Sequence, residues 1–317
     1  MIKSALKVIL ILLLLIMAVP YVIPLSKYQP QSLPYENSYY FIGASTIHYR
    51  VYKPKQDTIL GKILFIHGLG GSTFSYEKNA PILAEAGYLV ITVDLPGFGY
   101  SDRNVNEDHA QTARAEQLWQ LLDKLDESLL VENMQSYTWH IGGHSMGGGT
   151  AAAMAYLRQD DVASIILIDG ALFETNRSSA LITSPFFSRL IQVLLEHVVI
   201  KPKRIESFLT SAYGQTPTSD QILGYYTPLS LPGTARSALA LLKTAKNISD
   251  AQLKTLVLPI LAIWGENDNW VKLDTTTKIK ELMPQTQVSV IKDAGHVPME
   301  THPDDFNHIF LDWLTNK

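Results

Sequence analysis

Cysteine is absent from the chain. Its absence excludes disulfide staples, thiolate metal sites and a thiol nucleophile together, and it is compatible with an oxidising compartment without requiring one. Charge is sparse: 18% of residues are charged and the net charge is -4. No basic cluster is dense enough to track a phosphate backbone, so a nucleic-acid partner is excluded. The histidines are not spaced as metal ligands, and the glycine-rich stretches lack the lysine and threonine of a phosphate cradle. No metal and no cofactor is expected. Repeats and low-complexity tracts are missing too. What is present, 317 residues of which 46% are hydrophobic, suffices for one large α/β domain with spare length for an insertion or an anchor.

The spare length shows first at the start. Lys3 and Lys7 precede an uncharged run from Val8 to Val19, and apolar character continues to Leu25. A basic start followed by such a run reads as a signal-anchor or transmembrane helix over residues 1–26, and Val8 to Leu25 is close to the shortest length that spans a bilayer. With Pro, Tyr and Ile at its end the segment offers no small-residue cleavage site, so retention is favoured. The lysines predict that end inside and the folded body on the extracytoplasmic side, periplasmic in a bacterium, or secreted if the segment is cleaved.

Beyond a proline-rich tether, Tyr39-Tyr40-Phe41-Ile42 and Ile47-His48-Tyr49-Arg50-Val51-Tyr52 predict a β-hairpin. Short runs that are apolar throughout follow, among them Ile63-Leu64-Phe65-Ile66, Leu89-Val90-Ile91-Thr92-Val93 and Ile165-Ile166-Leu167-Ile168. Near the C-terminus stand Ile260-Leu261-Ala262-Ile263 and Val288-Ser289-Val290-Ile291. Strands apolar on both faces belong to a mostly parallel sheet covered by helices, and the stretches between them, such as 76–86 and 110–130, carry helical spacing. The alternation fails between Gly170 and about Asp250, where helix-like pieces (186–199, 235–246) stand without a strand. The chain therefore divides into a core of 27–170 and 251–317 and a helical cap over 171–250, inserted after the sixth strand at the edge of the sheet where open α/β folds hold their active sites.

Four stretches carry chemistry. In Gly143-His144-Ser145-Met146-Gly147 a serine sits between glycines at the spacing of a sharp strand-to-helix turn, where side chains two residues either side of the apex would strike neighbouring backbone. His67-Gly68-Leu69-Gly70-Gly71 follows a strand, and its glycines let backbone approach a substrate. Asp268 lies just past the strand 260–263, and His296 just past the strand 288–291, so both emerge at the edge of the sheet that bears Ser145. A serine hydroxyl is a weak nucleophile at neutral pH unless an imidazole accepts its proton, and a buried carboxylate fixes that imidazole's tautomer. A glycine-rich turn with an incidental serine, and a loop histidine that is merely exposed, are the plain alternatives. The order serine, acid, histidine weighs against them.

With Asp94-Leu95-Pro96-Gly97-Phe98-Gly99-Tyr100-Ser101, Gly265-x-x-Asp268 and Gly295-His296-x-Pro298-x-Glu300, these motifs make the chain beyond residue 40 resemble the α/β-hydrolase superfamily, in particular its carboxylesterases and monoacylglycerol-type lipases. The resemblance extends to enzymes that hydrolyse carbon–carbon bonds in aromatic degradation. It implies Ser145 as nucleophile, His296 as general base, Asp268 as the orienting acid, and an oxyanion hole from the N–H groups of Leu69 and Met146. Relatives that act on epoxides or haloalkanes carry aspartate at the elbow, which Ser145 argues against. Asp169 rivals Asp268 for the acid role, because it ends the strand 165–168. Cap residues Phe173, Phe186, Phe187, Leu190 and Leu194 are candidates for an apolar acyl pocket. The expected reaction is serine-dependent hydrolysis of carboxylic esters, lipid esters included, through an acyl-enzyme. The same triad on a carbon–carbon, amide or thioester bond is the alternative, and a non-catalytic ligand-binding protein of the same fold a third reading.

Overall fold

Runs that are apolar on both faces are satisfied only between two layers of helix, and in this computed structural model that is where they lie. The structure describes residues 7, 11, 15, 17–27, 32–55, 59–104, 106–128, 138–173 and 184–316. Strands β1 (Ser38–Ile42), β2 (Thr46–Tyr52), β3 (Gly61–Ile66), β4 (Tyr88–Val93), β5 (Trp139–His144), β6 (Val162–Ile168), β7 (Ile260–Gly265) and β8 (Thr286–Ile291) form one sheet in the order β1-β2-β4-β3-β5-β6-β7-β8. The hairpin β1–β2 and the pair β2–β4 are antiparallel, and β3 to β8 all run parallel.

Alternation along the strands builds two cores. Leu64 and Ile66 of β3 and Ile165 and Leu167 of β6 face one side, where α2 (Gln111–Ser128) and α3 (Met146–Leu157) pack through Trp119, Leu122 and Met154. Their neighbours Ile63, Phe65, Ile166 and Ile168 face the other side, against Tyr76, Phe306 and Phe310. The last two belong to the C-terminal helix, Pro303–Thr315. Each buried strand thus spends every side chain on one core or the other, which is why it reads as a continuous apolar run. β3 lies between β4 and β5, so the strand order reverses there, and the loops leaving the C-terminal ends of β3 and β5 border the crevice that open α/β sheets use for ligands.

The stretch 76–86 is less helical than its spacing suggests. It yields a short turn, Thr73–Tyr76, and the helix α1, Ala80–Glu85, which Pro81 helps to start. Between β6 and β7 the chain forms helices α4 (Pro185–Leu194), α5 (Pro202–Tyr213), α6 (Ser219–Leu229), α7 (Thr234–Thr244) and the short α8 (Asp250–Leu253). A capping box at Thr218 and Gln221 starts α6, and a left-handed Gly214 stops α5.

The membrane-anchor expectation is corrected. Among the described residues no helix is long and apolar enough to cross a membrane, so the anchored, extracytoplasmic placement has no support. Much of the apolar run that suggested it, including residues 8–10 and 12–14, lies outside the described residues. Residues 17–22 are helical, and the chain after them is held against the helical insertion. Arg189 Nε and Nη2 donate to the carbonyls of Pro20 (2.8 Å) and Ile23 (2.5 Å), and the Ser26 N–H and hydroxyl donate to Glu196 Oε1, both at 2.8 Å. The last carbonyls of a helix lack intrahelical donors, and an arginine supplies them here.

Candidate active site

Ser145 stands between the last residue of β5 and the first of α3, with φ +49° and ψ −117°. Few side-chain-bearing residues adopt this conformation, and two close approaches fix it. A Cβ on Gly143 would come 2.1 Å from the Gly147 carbonyl oxygen, and one on Gly147 would come 2.3 Å from the Ile66 carbonyl oxygen. The backbone of Ser145 is clamped by β6 and the residues after it: its N–H donates to the Ile168 carbonyl and its own carbonyl accepts from Ala171, both at 2.9 Å. Met146 opens α3, so its N–H belongs to the first turn, where no intrahelical carbonyl is available. Leu69 lies across the same cavity on the loop after β3.

His296 and Asp268 meet at that cavity. His296 Nδ1 lies 2.7 Å from Asp268 Oδ2, and Asp268 Oδ1 accepts the N–H groups of Trp270 (2.7 Å) and Val271 (3.0 Å). Both side chains are buried. Burial pulls the Asp268 carboxyl upward, but the hydrogen bond and charge of His296, with the backbone donors, hold it below the usual carboxylate range. A carboxylate accepts, so the imidazole carries its proton on Nδ1 and turns Nε2 away from Asp268, free to act as a base.

Ser145, His296, Leu69 and Gly68 line one cavity of about 90 Å³, closed by Phe208, Leu209 and Ala212 of α5, Tyr225 of α6, and Trp270 and Val297. None of Phe173, Phe186, Phe187, Leu190 and Leu194 lines it. Phe173 packs on the sheet core with the Lys278 ammonium 3.8 Å from its ring centre, while Phe186 and Phe187 stack edge to face on α4, where Phe187 and Leu194 are exposed. The cavity wall comes instead from the next two helices, α5 and α6, which sequence spacing cannot rank, because α4 and α7 also bury apolar side chains.

Three further contacts were not legible in the motifs. Trp270 stacks on His296 at 5.3 Å and 25° while its indole N–H donates to Ser211 of α5 at 3.1 Å. His144 Nε2 lies 2.7 Å from the His296 carbonyl; burial, with His296 beside it, pushes its pKa down to about 3, so the neutral ring donates and pins the loop that carries His296. Glu300 accepts from the hydroxyls of Tyr213 on α5 and Tyr225 on α6, tying the insertion to the core. His67 braces its loop: Leu95 N–H donates to Nε2 at 3.0 Å, so Nδ1 carries the proton and donates to the Gly68 carbonyl at 2.6 Å. Asp94 accepts from Thr73, Tyr100 and His48, the arrangement of a turn and not of a reacting group. Asp169 donates nothing to and accepts nothing from His296; its Oδ1 accepts the Gly265 N–H at 2.9 Å. One oxygen of Asp169, one of Asp268 and a ring nitrogen of His296 lie within 4.8 Å of one another. The 2.7 Å separation of His296 Nδ1 and Asp268 Oδ2 is that of a charge-assisted hydrogen bond, which occupies the face a cation would need.

Comparison with known proteins converges on the same frame. A family model described as alpha/beta hydrolase fold matches residues 62–303. Lipase 3 of Moraxella sp. (strain TA144) is 28% identical over 258 residues, 77% of this chain and 75% of the lipase. A 2-hydroxy-6-oxononadienedioate/2-hydroxy-6-oxononatrienedioate hydrolase of Pseudomonas putida is 28% identical over 283 residues, 85% of this chain and 92% of that enzyme. Among solved structures, a membrane phospholipase A superposes with a TM-score of 0.67 at 24% identity, covering 100% of both chains, a likeness of fold.

Proposed function

The chain belongs to the α/β-hydrolase fold family, and from that membership we propose that it is a serine hydrolase of carboxylic esters, working through an acyl-enzyme. The observation that carries this reading is the hydrogen bond between His296 Nδ1 and Asp268 Oδ2 at the cavity that Ser145 lines. In the proposed sequence the Ser145 hydroxyl attacks the ester carbonyl as His296 Nε2 takes its proton. The N–H groups of Leu69 and Met146 stabilise the oxyanion, and His296 returns the proton to the leaving alcohol. A water molecule, deprotonated by the same nitrogen, then releases the acid. Asp268 keeps its charge throughout and holds the imidazolium.

The acyl side fits an apolar group, since Leu69, Phe208, Leu209, Trp270 and Val297 dominate the wall. We assign the helical insertion the part of a lid, because α5 and α6 supply that wall. The lipase relative supports an ester. The Pseudomonas relative favours a second reading, in which the same serine opens a dienedioate. Such a substrate carries two carboxylates, and among the described residues those lining the cavity include neither lysine nor arginine to receive one, which favours the ester. Purified Ser145→Ala is expected to lose hydrolysis of a p-nitrophenyl ester and labelling by a fluorophosphonate probe while keeping its melting temperature within a few degrees. Retained turnover would end the proposal, and a substrate panel of ester against dienedioate decides between the two readings.

A further inference from the structure

Asp169 ends β6 with φ +44°, a left-handed conformation that costs a residue with a side chain about 1 kcal/mol or more. Glycine would occupy it without strain, and the chain places glycine one residue later instead. The strained position bears a carboxyl group that is fully buried. Its Oδ1 accepts the Gly265 N–H, but among the described residues no group donates to its Oδ2. A carboxylate oxygen buried without a donor is costly, and here an oxygen of the same carboxyl group lies within 4.8 Å of one belonging to a second, that of Asp268. Asp268 is the member of the pair surrounded by donors: His296 Nδ1 and the N–H groups of Trp270 and Val271 all point at it. One proton resolves the conflict. On Asp169 Oδ2 it removes the second charge and converts an orphaned acceptor into a donor.

We propose that Asp169 holds this proton and donates a hydrogen bond to Asp268, so that it acts as a positioning residue behind the triad acid. The inference rests on the reading of Ser145, His296 and Asp268 as a triad. The direction of titration agrees with it, since burial and the charge of Asp268 push the Asp169 carboxyl well up while His296 keeps Asp268 low. The titratable groups that face Asp169 are Asp268 from the loop after β7 and His296 from the loop after β8. From the elbow, His144 is held neutral by burial, and Ser145 meets the residues around Asp169 through backbone bonds to Ile168 and Ala171. A neutral donor draws electron density from Asp268 and so weakens its grip on the imidazolium. The donor therefore weakens the hold on the protonated ring, whereas an ionised Asp169 would strengthen it.

The sign of that effect is the test. The acidic limb of kcat/KM for a p-nitrophenyl ester is measured for the wild type, Asp169→Ala and Asp169→Asn, with an infrared difference spectrum of wild type minus Asp169→Asn at neutral pH. Loss of the donor in Asp169→Ala should move the limb upward by about 0.5 to 1 pH unit. Asparagine, which accepts from Gly265 and donates to Asp268, should bring it back. The infrared difference should contain the C=O stretch of a protonated carboxyl group. Downward shifts in both variants, unshifted limbs in both, or a spectrum without that band would each overturn the proposal. The infrared arm decides the matter even if the alanine variant fails to fold. A Ser145→Ala protein that keeps turnover would sink the triad reading, while the same infrared band recorded in its background would still report the proton on Asp169.

Discussion

At the residue scale, the site is made by a few positions whose local cost is high. Gly143 is the sharpest: a methyl group there would sit 2.1 Å from a backbone carbonyl, and neither partner can yield without opening the elbow. Gly143→Ala should cost about 3 kcal/mol or more, measured by urea denaturation, and should abolish ester hydrolysis in whatever fraction folds. Buried histidines set a second expectation. Burial and the Arg114 charge push His109 down to about pKa 3, and His144 is driven to the same region, whereas an unfolded histidine titrates near 6.5. Between those values the unfolded chain binds more protons, so their contribution is complete above about pH 6.5 and is lost as pH falls toward 3. Each contributes a slope of up to about 1.4 kcal/mol per pH unit. His109→Gln, which keeps an acceptor for Arg114, should flatten the dependence of unfolding free energy on pH across that window; an unaltered slope would show that His109 does not titrate on unfolding. Ser145, His296 and the rival carboxyl groups of Asp268 and Asp169 could be picked out as candidates from their motifs, because the elbow glycines and the strand-end positions are local features. His144, Trp270 and the protonation of Asp169 could not, since each acquires its role from a neighbour 26 to 152 positions away or from burial.

At the scale of elements, β3, β4, β6 and β7 were legible because both of their faces are buried. Which helix closes the cavity was not: the candidates were Phe173, Phe186, Phe187, Leu190 and Leu194, and the described lining includes Phe208, Leu209, Ala212 and Tyr225. The two helices that do close it are tied to the core by one carboxylate, Glu300, through Tyr213 and Tyr225. Glu300→Ala leaves the buried Tyr213 phenol without its acceptor and Tyr225 with the Ser75 hydroxyl at 3.2 Å, and an unpaired buried group costs about 1 to 3 kcal/mol. That variant should unfold at lower denaturant and be cleaved faster by protease within residues 202–229, with the core fragments surviving longer. If the cleavage pattern matched the wild type, the carboxylate would not be what holds α5 and α6. Tyr225→Phe removes one of the two donors and should produce about a third to a half of the effect on the same scale.

At the scale of the whole molecule, the insertion is held on one side by Glu300 and on another by the chain that precedes the sheet. Arg189 binds the carbonyls of Pro20 and Ile23, and Arg236 donates to the carbonyl of Ser26 at 2.8 Å. Arg189→Ala should release this segment: limited proteolysis is expected to cut near residues 20–27 several times faster, with p-nitrophenyl ester turnover unaltered, because no residue of the segment lines the cavity. Equal cleavage rates would mean that Glu196 and Arg236 suffice to hold it. The apolar run at the start of the chain invited a membrane span by composition, and the described helices contain none of sufficient length and apolarity. A run's hydropathy does not say what it packs on. By itself the sequence determined the layered α/β architecture, the serine elbow and the chain order of Ser145, Asp268 and His296, since periodicity and tight-turn glycines are written within a few neighbouring residues. Only the tertiary structure decided which carboxylate sits on the imidazole, which helices wall the cavity and what the leading segment touches, because those outcomes depend on distances between parts of the chain that no local pattern encodes.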